Sequence, residues 1–351
     1  MNLDNNELIR ELDKNDMLGE IKNLPAQLEH AWALAEQLPL PNKKKYSCGV
    51  IAGMGGSAIG ADILAAYLHP FCEFPVTVIR GYELPAWAAG DDVMVICSSH
   101  SGNTEETLAV FKRAIENSCE VMTISTGGLL LDRSRETNKI SWTFEHAGQP
   151  RAAIGFSFGL LLNLFSRIGW VPDQKTALEK TNQSVRDYLE SINETVPSAL
   201  NHAKRIAGQA VGRFPLVMAA EHLEPVARRW KTQINELAKC RAFFEFLPEA
   251  DHKSLAGLVY PASSQQNFYS IFLDSHHYNE RNQKRARLTR DEFMVSGFCT
   301  DRVQVDEKDK LTEIWKMILL GDFVSFYLAI AYGVDPTPVE ALQTFKKALK
   351  N

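Results

Sequence analysis

Short apolar runs recur along the chain, each followed by a glycine- or hydroxyl-rich turn and then by a segment with helical spacing. Cys48 to Ala52 leads through Gly53-Met-Gly-Gly-Ser57 into Ala58–Leu68. Pro75–Ile79 reads as a second strand, and Asp92–Cys97 as a third that feeds a helix over 105–118. Glu120–Ser125 is a fourth and ends in Gly127-Gly128. Strands this short and this apolar suit burial on both faces. Their alternation with helices predicts a parallel sheet with helices on each side. Upstream, residues 7–38 have helical periodicity, with Leu24, Leu28, Trp32 and Ala35 on one face, and Pro39 and Pro41 end it.

The pattern then repeats. Residues 153–168 predict an apolar helix, and about 173–208 a polar, helical connector. Phe214–Ala220 restarts the strands and 224–239 follows as a helix. Phe243–Leu247, Tyr269–Leu273 and Phe293–Val295 are further strand candidates. Residues 310–333 are strongly apolar and helical, and 337–350 form a last helix. The expected fold class is therefore α/β, two subdomains each with a mostly parallel sheet flanked by helices. The expected division is 1–45 as an N-terminal helical extension, 46–170 as the first subdomain, 171–210 as a connector and 211–351 as the second.

Composition narrows the partners. A chain of 351 residues with 45% hydrophobic and 23% charged positions supports two cores. Its net charge of −5 gives no general attraction to nucleic acid or to an anionic membrane. No apolar run is read as long enough to cross a bilayer, and the polar N-terminus lacks a signal-peptide core. The six cysteines (48, 72, 97, 119, 240, 299) are scattered without a C-x-x-C pair, as expected for reduced thiols in a cytoplasmic protein.

The most informative turn is Ser99-His-Ser-Gly-Asn-Thr104, between a buried strand and a helix. Helix-start amides lack internal partners and lie at the positive end of the dipole. One hydroxyl suffices for a cap, and this turn offers three, enough to cradle a phosphate without a lysine. Gly53-Met-Gly-Gly-Ser57-Ala58 also fits a loose dinucleotide fingerprint, and Arg80 after the next strand suits a 2′-phosphate. Ser57, however, repeats the hydroxyl chemistry of Ser99–Thr104 at an adjacent strand end, which favours one small phosphate over NADP. Arg151 precedes an apolar helix and is placed to stabilise an anion. Glu236 borders the apolar face formed by Val226, Trp230, Ile234 and Leu237, where partial burial would suit proton transfer. His252 lies in an acidic loop. Glu145-His146, Glu221-His222 and His276-His277 lack the spacing of strong metal motifs, so no metal is expected.

Taken in order, Gly53-Met-Gly-Gly-Ser57, Ser99–Thr107, Pro150-Arg-Ala-Ala153, Ile234–Lys239, Pro248-Glu-x-x-His252 and Asp335–Lys347 resemble the bifunctional phosphoglucose/phosphomannose isomerase family. That family is built from two sugar-isomerase (SIS) domains. The resemblance runs from about Tyr46 to the C-terminus and implies two SIS-type subdomains. It implies an enzyme interconverting glucose 6-phosphate and mannose 6-phosphate with fructose 6-phosphate, without cofactor or metal. Gly56, Ser57, Ser99, Ser101 and Thr104 match the phosphate-binding positions. Glu236 matches the catalytic base, His252 and Lys346 the ring-opening groups, and Arg151 the arginine beside the enediolate. Lys347 is the alternative to Lys346 by one position. The family's histidine reaches its site from the partner subunit, which implies a homodimer. His100 departs from the tyrosine common in relatives, and a packing change is expected there. Two rivals stand beside this reading: a non-catalytic sugar-phosphate sensor, and an isomerase of another phosphosugar.

Overall fold

The computed structural model describes residues 2–42 and 45–349. Three helices open the chain: α1 (Asn6–Leu12), α2 (Met17–Lys22) and α3 (Leu24–Gln37). Then follow β1 (Cys48–Ala52), α4 (Gly55–Leu68), β2 (Val76–Ile79), β3 (Val93–Ser98), α5 (Glu105–Glu116), β4 (Glu120–Ser125), α6 (Gly128–Glu136) and β5 (Ile140–Thr143). The helices α7 (Ile154–Arg167), α8 (Lys175–Ile192) and α9 (His202–Ala210) lead to β6 (Phe214–Ala220), α10 (Glu224–Leu237) and β7 (Phe243–Leu247). The chain closes with α11 (Ser264–Asn267), β8 (Phe268–Asp274), α12 (Glu280–Val295), β9 (Cys299–Gln304), α13 (Lys310–Tyr332) and α14 (Glu340–Leu349).

Two compact units result, each an α/β layer structure, and the division falls inside α8. The first unit, Asn23–Gln183, holds a five-stranded parallel sheet in the order β2-β1-β3-β4-β5. The central strands β1 and β3 are buried at every residue, whereas the edge strands β2 and β5 are half-buried. That explains the continuous apolar runs at the centre. The second unit, up to Lys22 and from Ser184 onward, holds a four-stranded parallel sheet in the order β7-β6-β8-β9. Strand order reverses between β1 and β3 in one sheet and between β6 and β8 in the other. Such switch points open crevices at the carboxyl ends of the strands.

The second unit is organised around α13, buried from Leu311 to Ile330 and packed on α9 and α10. By length and composition this 23-residue helix is apolar enough to cross a membrane, contrary to the sequence expectation, but 94% of its apolar window is buried within the protein. It also carries Asp322, whose Oδ2 accepts from Arg229 Nη2 of α10 at 2.6 Å while Oδ1 accepts from Gln233 Nε2 at 3.0 Å. Both members of the ion pair are 2% exposed. Trp230 Nε1 donates to the Met317 carbonyl at 2.8 Å, sealing the same helix contact.

One expectation, the strand at 293–295, requires correction, and two helical ones are refined. Residues 7–38 are three helices, because Asp13 caps α2 through Met17 and Leu18 N–H and Asp16 adopts a left-handed φ of 54°. Phe293–Val295 is the last turn of α12, not a strand: Phe293 is buried while Val295 is 85% exposed, a helical alternation. The strand of that region is β9, a few residues further on and polar enough to escape notice. The last helix begins at Glu340, and position 350 of the expected span lies outside the described residues.

Candidate active site

The hydroxyl turn sits at the switch point of the first sheet. β1 and β3 pair in parallel with Ala52 opposite Cys97, so the loops after them emerge side by side. A Cβ on Gly53 would lie 2.8 Å from the Ser98 carbonyl, so the β1 turn passes against the end of β3 only as glycine. Ser99 Oγ and Thr104 Oγ1 are 2.9 Å apart. Thr104 is the N-cap of α5, yet its hydroxyl makes no capping bond. The simple capping account of this turn therefore fails. Ser101 is exposed, and its Oγ accepts from Asn103 N–H at 3.2 Å. Ser57, 6% exposed, stands in the first turn of α4, which likewise has no side-chain cap.

Two features that sequence reasoning missed hold the turn. Asn103 spans two loops: its Nδ2 donates to Ser101 O at 3.0 Å and its Oδ1 accepts from Leu129 N–H at 3.1 Å. Gly102, at φ 66°, lies so near Gly127 that a Cβ would fall 1.8 Å from the Gly127 carbonyl. The Gly127-Gly128 pair after β4 was the available signal, legible as a turn but not as the support of another loop.

Arg151 belongs to the same unit. It lies in a one-turn 3-10 helix, Pro150–Ala152, and is 8% exposed. Its Nη1 donates to Gln149 Oε1 at 3.2 Å. The first turn of α4 meets this segment directly: a Cβ on Gly56 would approach the Pro150 carbonyl to 2.5 Å. The bare Cα at Gly56 thus sets Arg151 beside the helix start that carries Ser57. Arg80, the feature that kept NADP in view, is taken by Asp62 of α4 through two hydrogen bonds, one of them 3.2 Å.

His100 turns to an aromatic cluster. Its Nε2 is 3.0 Å from His146 Nδ1, and its ring meets Phe144 edge-on at 5.8 Å. Burial first, and His146 second, push its pKa down from 6.5 to about 4. Between those pH values the unfolded chain takes up a proton that the folded chain refuses. Stability from this group is therefore complete above about pH 6.5 and is lost as pH falls toward 4. His100→Phe is expected to flatten the decline in urea midpoint over that range. An unchanged slope would remove His100 as its source.

The remaining candidates lie in the second unit. Glu236 is half-buried in the last turn of α10, at the amino-terminal edge of its sheet, since α10 runs back from β6 to the start of β7. Lys239 Nζ donates to the backbone carbonyls of Glu236 at 2.7 Å and Pro336 at 3.3 Å, which ties the chain before α14 to this corner. A cavity of about 560 Å³, lined by Lys231, Asn235, Lys239 and Arg241, adjoins it. His252 is exposed at the end of a 3-10 turn that Asp251 pins to α12 through Arg285 at 2.7 Å and Thr289 at 2.6 Å. Lys346 and Lys347 are exposed on α14, none of whose residues is buried. Among the described residues, neither His252 nor Lys346 makes a hydrogen bond or ion pair.

The switch point of the second sheet is built differently. After β6 and β8 stand His222 and Ser275, and both bond Glu313 Oε2 of α13, at 2.7 and 2.8 Å. Glu313 is fully buried. A carboxylate fills the place where the first sheet offers hydroxyls. Among the described residues, no three His, Cys, Asp or Glu groups are placed to hold a metal ion.

Two parallel sheets of this topology, with a hydroxyl cradle at the first switch point, define a double-SIS protein of the phosphosugar-isomerase class. Residues 199–349 match the model of the bacterial phospho-glucose isomerase C-terminal SIS domain. The chain is 33% identical to a bifunctional phosphoglucose/phosphomannose isomerase of Caldicellulosiruptor bescii, over 95% of this chain and 98% of that one. It is 31% identical to one of Aquifex aeolicus, over 87% and 91%. A D-glucosamine-6-phosphate 4-epimerase of Sulfolobus acidocaldarius is 29% identical over 85% and 88%. In fold, the chain resembles a glucose-6-phosphate isomerase like protein of Thermus thermophilus, with a TM-score of 0.65, 16% identity, and coverage of 97% and 99%. The chain belongs to the bifunctional phosphoglucose/phosphomannose isomerase family of SIS-domain proteins.

Proposed function

We propose that the protein interconverts glucose 6-phosphate and mannose 6-phosphate with fructose 6-phosphate through a cis-enediol. The observation that carries this reading is the Ser99–Thr104 turn, whose N-cap hydroxyl is withheld from capping and faces Ser99. Family membership supports it.

In this reading Ser57, Ser99, Ser101 and Thr104, with the amides around Gly56, hold the phosphate. Anchoring the remote end of the sugar offsets the entropy of alignment. His252 and Lys346 open the ring, with His252 serving a second copy of the chain in a homodimer, which suits its exposure. Glu236 takes the C2 proton of the open aldose and returns it to C1. The enediol is planar at C2, so one base serves both epimers once rotation about C2–C3 presents either face. Arg151 stabilises the negative charge that develops on the enediolate. Proton transfer of this kind needs neither metal nor nicotinamide, and the cytoplasm supplies the substrates.

A second reading, another phosphosugar as substrate, is favoured by the relative whose name is a glucosamine-phosphate epimerase. Incubation of EDTA-treated protein with fructose 6-phosphate separates the two. Glucose 6-phosphate and mannose 6-phosphate, assayed separately, are both expected to form. Glucose 6-phosphate alone would remove the second activity. Neither product, with fructose 6-phosphate still raising the unfolding temperature, would overturn the proposal in favour of a sensor or another substrate.

A further inference from the structure

The second unit gathers positive charge that the proposed reaction does not use. Five of the sixteen residues of α12 are cationic: Arg281, Lys284, Arg285, Arg287 and Arg290. Arg285 is neutralised by Asp251. Lys284, Arg287 and Arg290, spaced three residues apart, face a cavity of about 440 Å³ that Arg302 of the edge strand β9 also lines. That volume falls in the range of small-molecule sites, roughly 300–1,000 Å³.

The counter-charges are too few. Asp274, at the end of β8, accepts from Arg302 Nε at 2.5 Å, and Arg302 also bonds Gln304. Glu280 is the other carboxylate in the lining. Lys284 and Arg287 make no hydrogen bond or ion pair among the described residues. Arg290 reaches Asp291 at 3.4 Å with Nη2, while its Nε is buried without a hydrogen-bond partner. Like charges one turn apart on a helix repel. Here they stand in a protein of net charge −5, on the carboxyl side of a parallel sheet where ligands of α/β proteins bind. Guanidinium forks match phosphate oxygens in geometry as well as charge.

We propose that the cavity between α12 and β9 binds the phosphate group of a small phosphorylated metabolite, at a site separate from the Ser99–Thr104 turn. The two sites lie in different units. Within its own unit the cavity opens toward the strand ends opposite the edge that carries Glu236. The proposal stands independently of the isomerase reading.

Calorimetric titration of the full-length protein with pyrophosphate tests it. Wild type is expected to show two saturable sites, and Ser101→Ala with Thr104→Ala to leave one. Adding Arg287→Gln at an exposed position and Arg290→Gln at a half-buried one is expected to weaken that remaining site at least tenfold with the circular dichroism unchanged. Three results would overturn the proposal. These are loss of all binding in the Ser101/Thr104 variant, affinity within twofold after the arginine substitutions, or binding that disappears at 150 mM salt, as diffuse surface charge alone would give.

Discussion

Glu236→Gln is expected to lower kcat for both epimers together, by about a hundred- to ten-thousandfold, the usual worth of a positioned proton-transfer group. The substitution keeps size and hydrogen-bonding capacity and removes the basic oxygen. KM should change little, because the proposed phosphate cradle belongs to other elements. Folding should be unaffected: Glu236 is half-buried at the end of α10, outside the packed seam of Trp230 and Arg229 with α13. Steady-state rates for fructose 6-phosphate conversion to each aldose check this. Retention of either activity within about tenfold of wild type would remove Glu236 as the shared base, since that range is less than a general base supplies.

The largest stability effect is expected at Asp322. Asp322→Ala leaves the Arg229 guanidinium deep between α10 and α13 without its carboxylate, and leaves Gln233 Nε2 without its acceptor. Breaking one side of a buried ion pair costs about 3–5 kcal/mol. Replacing both charges, Asp322→Leu with Arg229→Met, should recover most of that loss, because the desolvation of both ions is then avoided. Urea unfolding of the three proteins decides the matter. A single variant within about 1 kcal/mol of wild type would mean that water reaches this seam and solvates the arginine.

The parts of the fold legible in the sequence were those whose residues answer to one constraint. β1 and β3 are buried on both faces, so their runs are apolar throughout. The edge strands β5 and β9 are half-covered and include Ser141, Thr143, Asp301 and Arg302, so neither run stood out. α12 was missed for the complementary reason: it buries little more than Ala286, Thr289 and Phe293, too sparse a stripe to read as periodic. At the candidate site, hydroxyl types and their place between strand and helix were visible in the chain. The supports were not. Asn103 bridging to Leu129, and the contact of Gly102 with the Gly127 carbonyl, join segments about 25 residues apart, where local pattern carries no signal.

The bare Cα of Gly56 acts as a ruler. Because the Pro150 carbonyl rests where a side chain would otherwise stand, the guanidinium-bearing segment is indexed to the helix start that carries Ser57. Whatever spans from one to the other is measured against a fixed length. In the proposed reaction, with the phosphate at Ser57 and the enediolate at Arg151, that length is the number of carbons between the ester and the reacting carbon. Selection for hexose over pentose can then reside in a contact that touches no substrate atom, and a single methyl group at position 56 would reset the gauge.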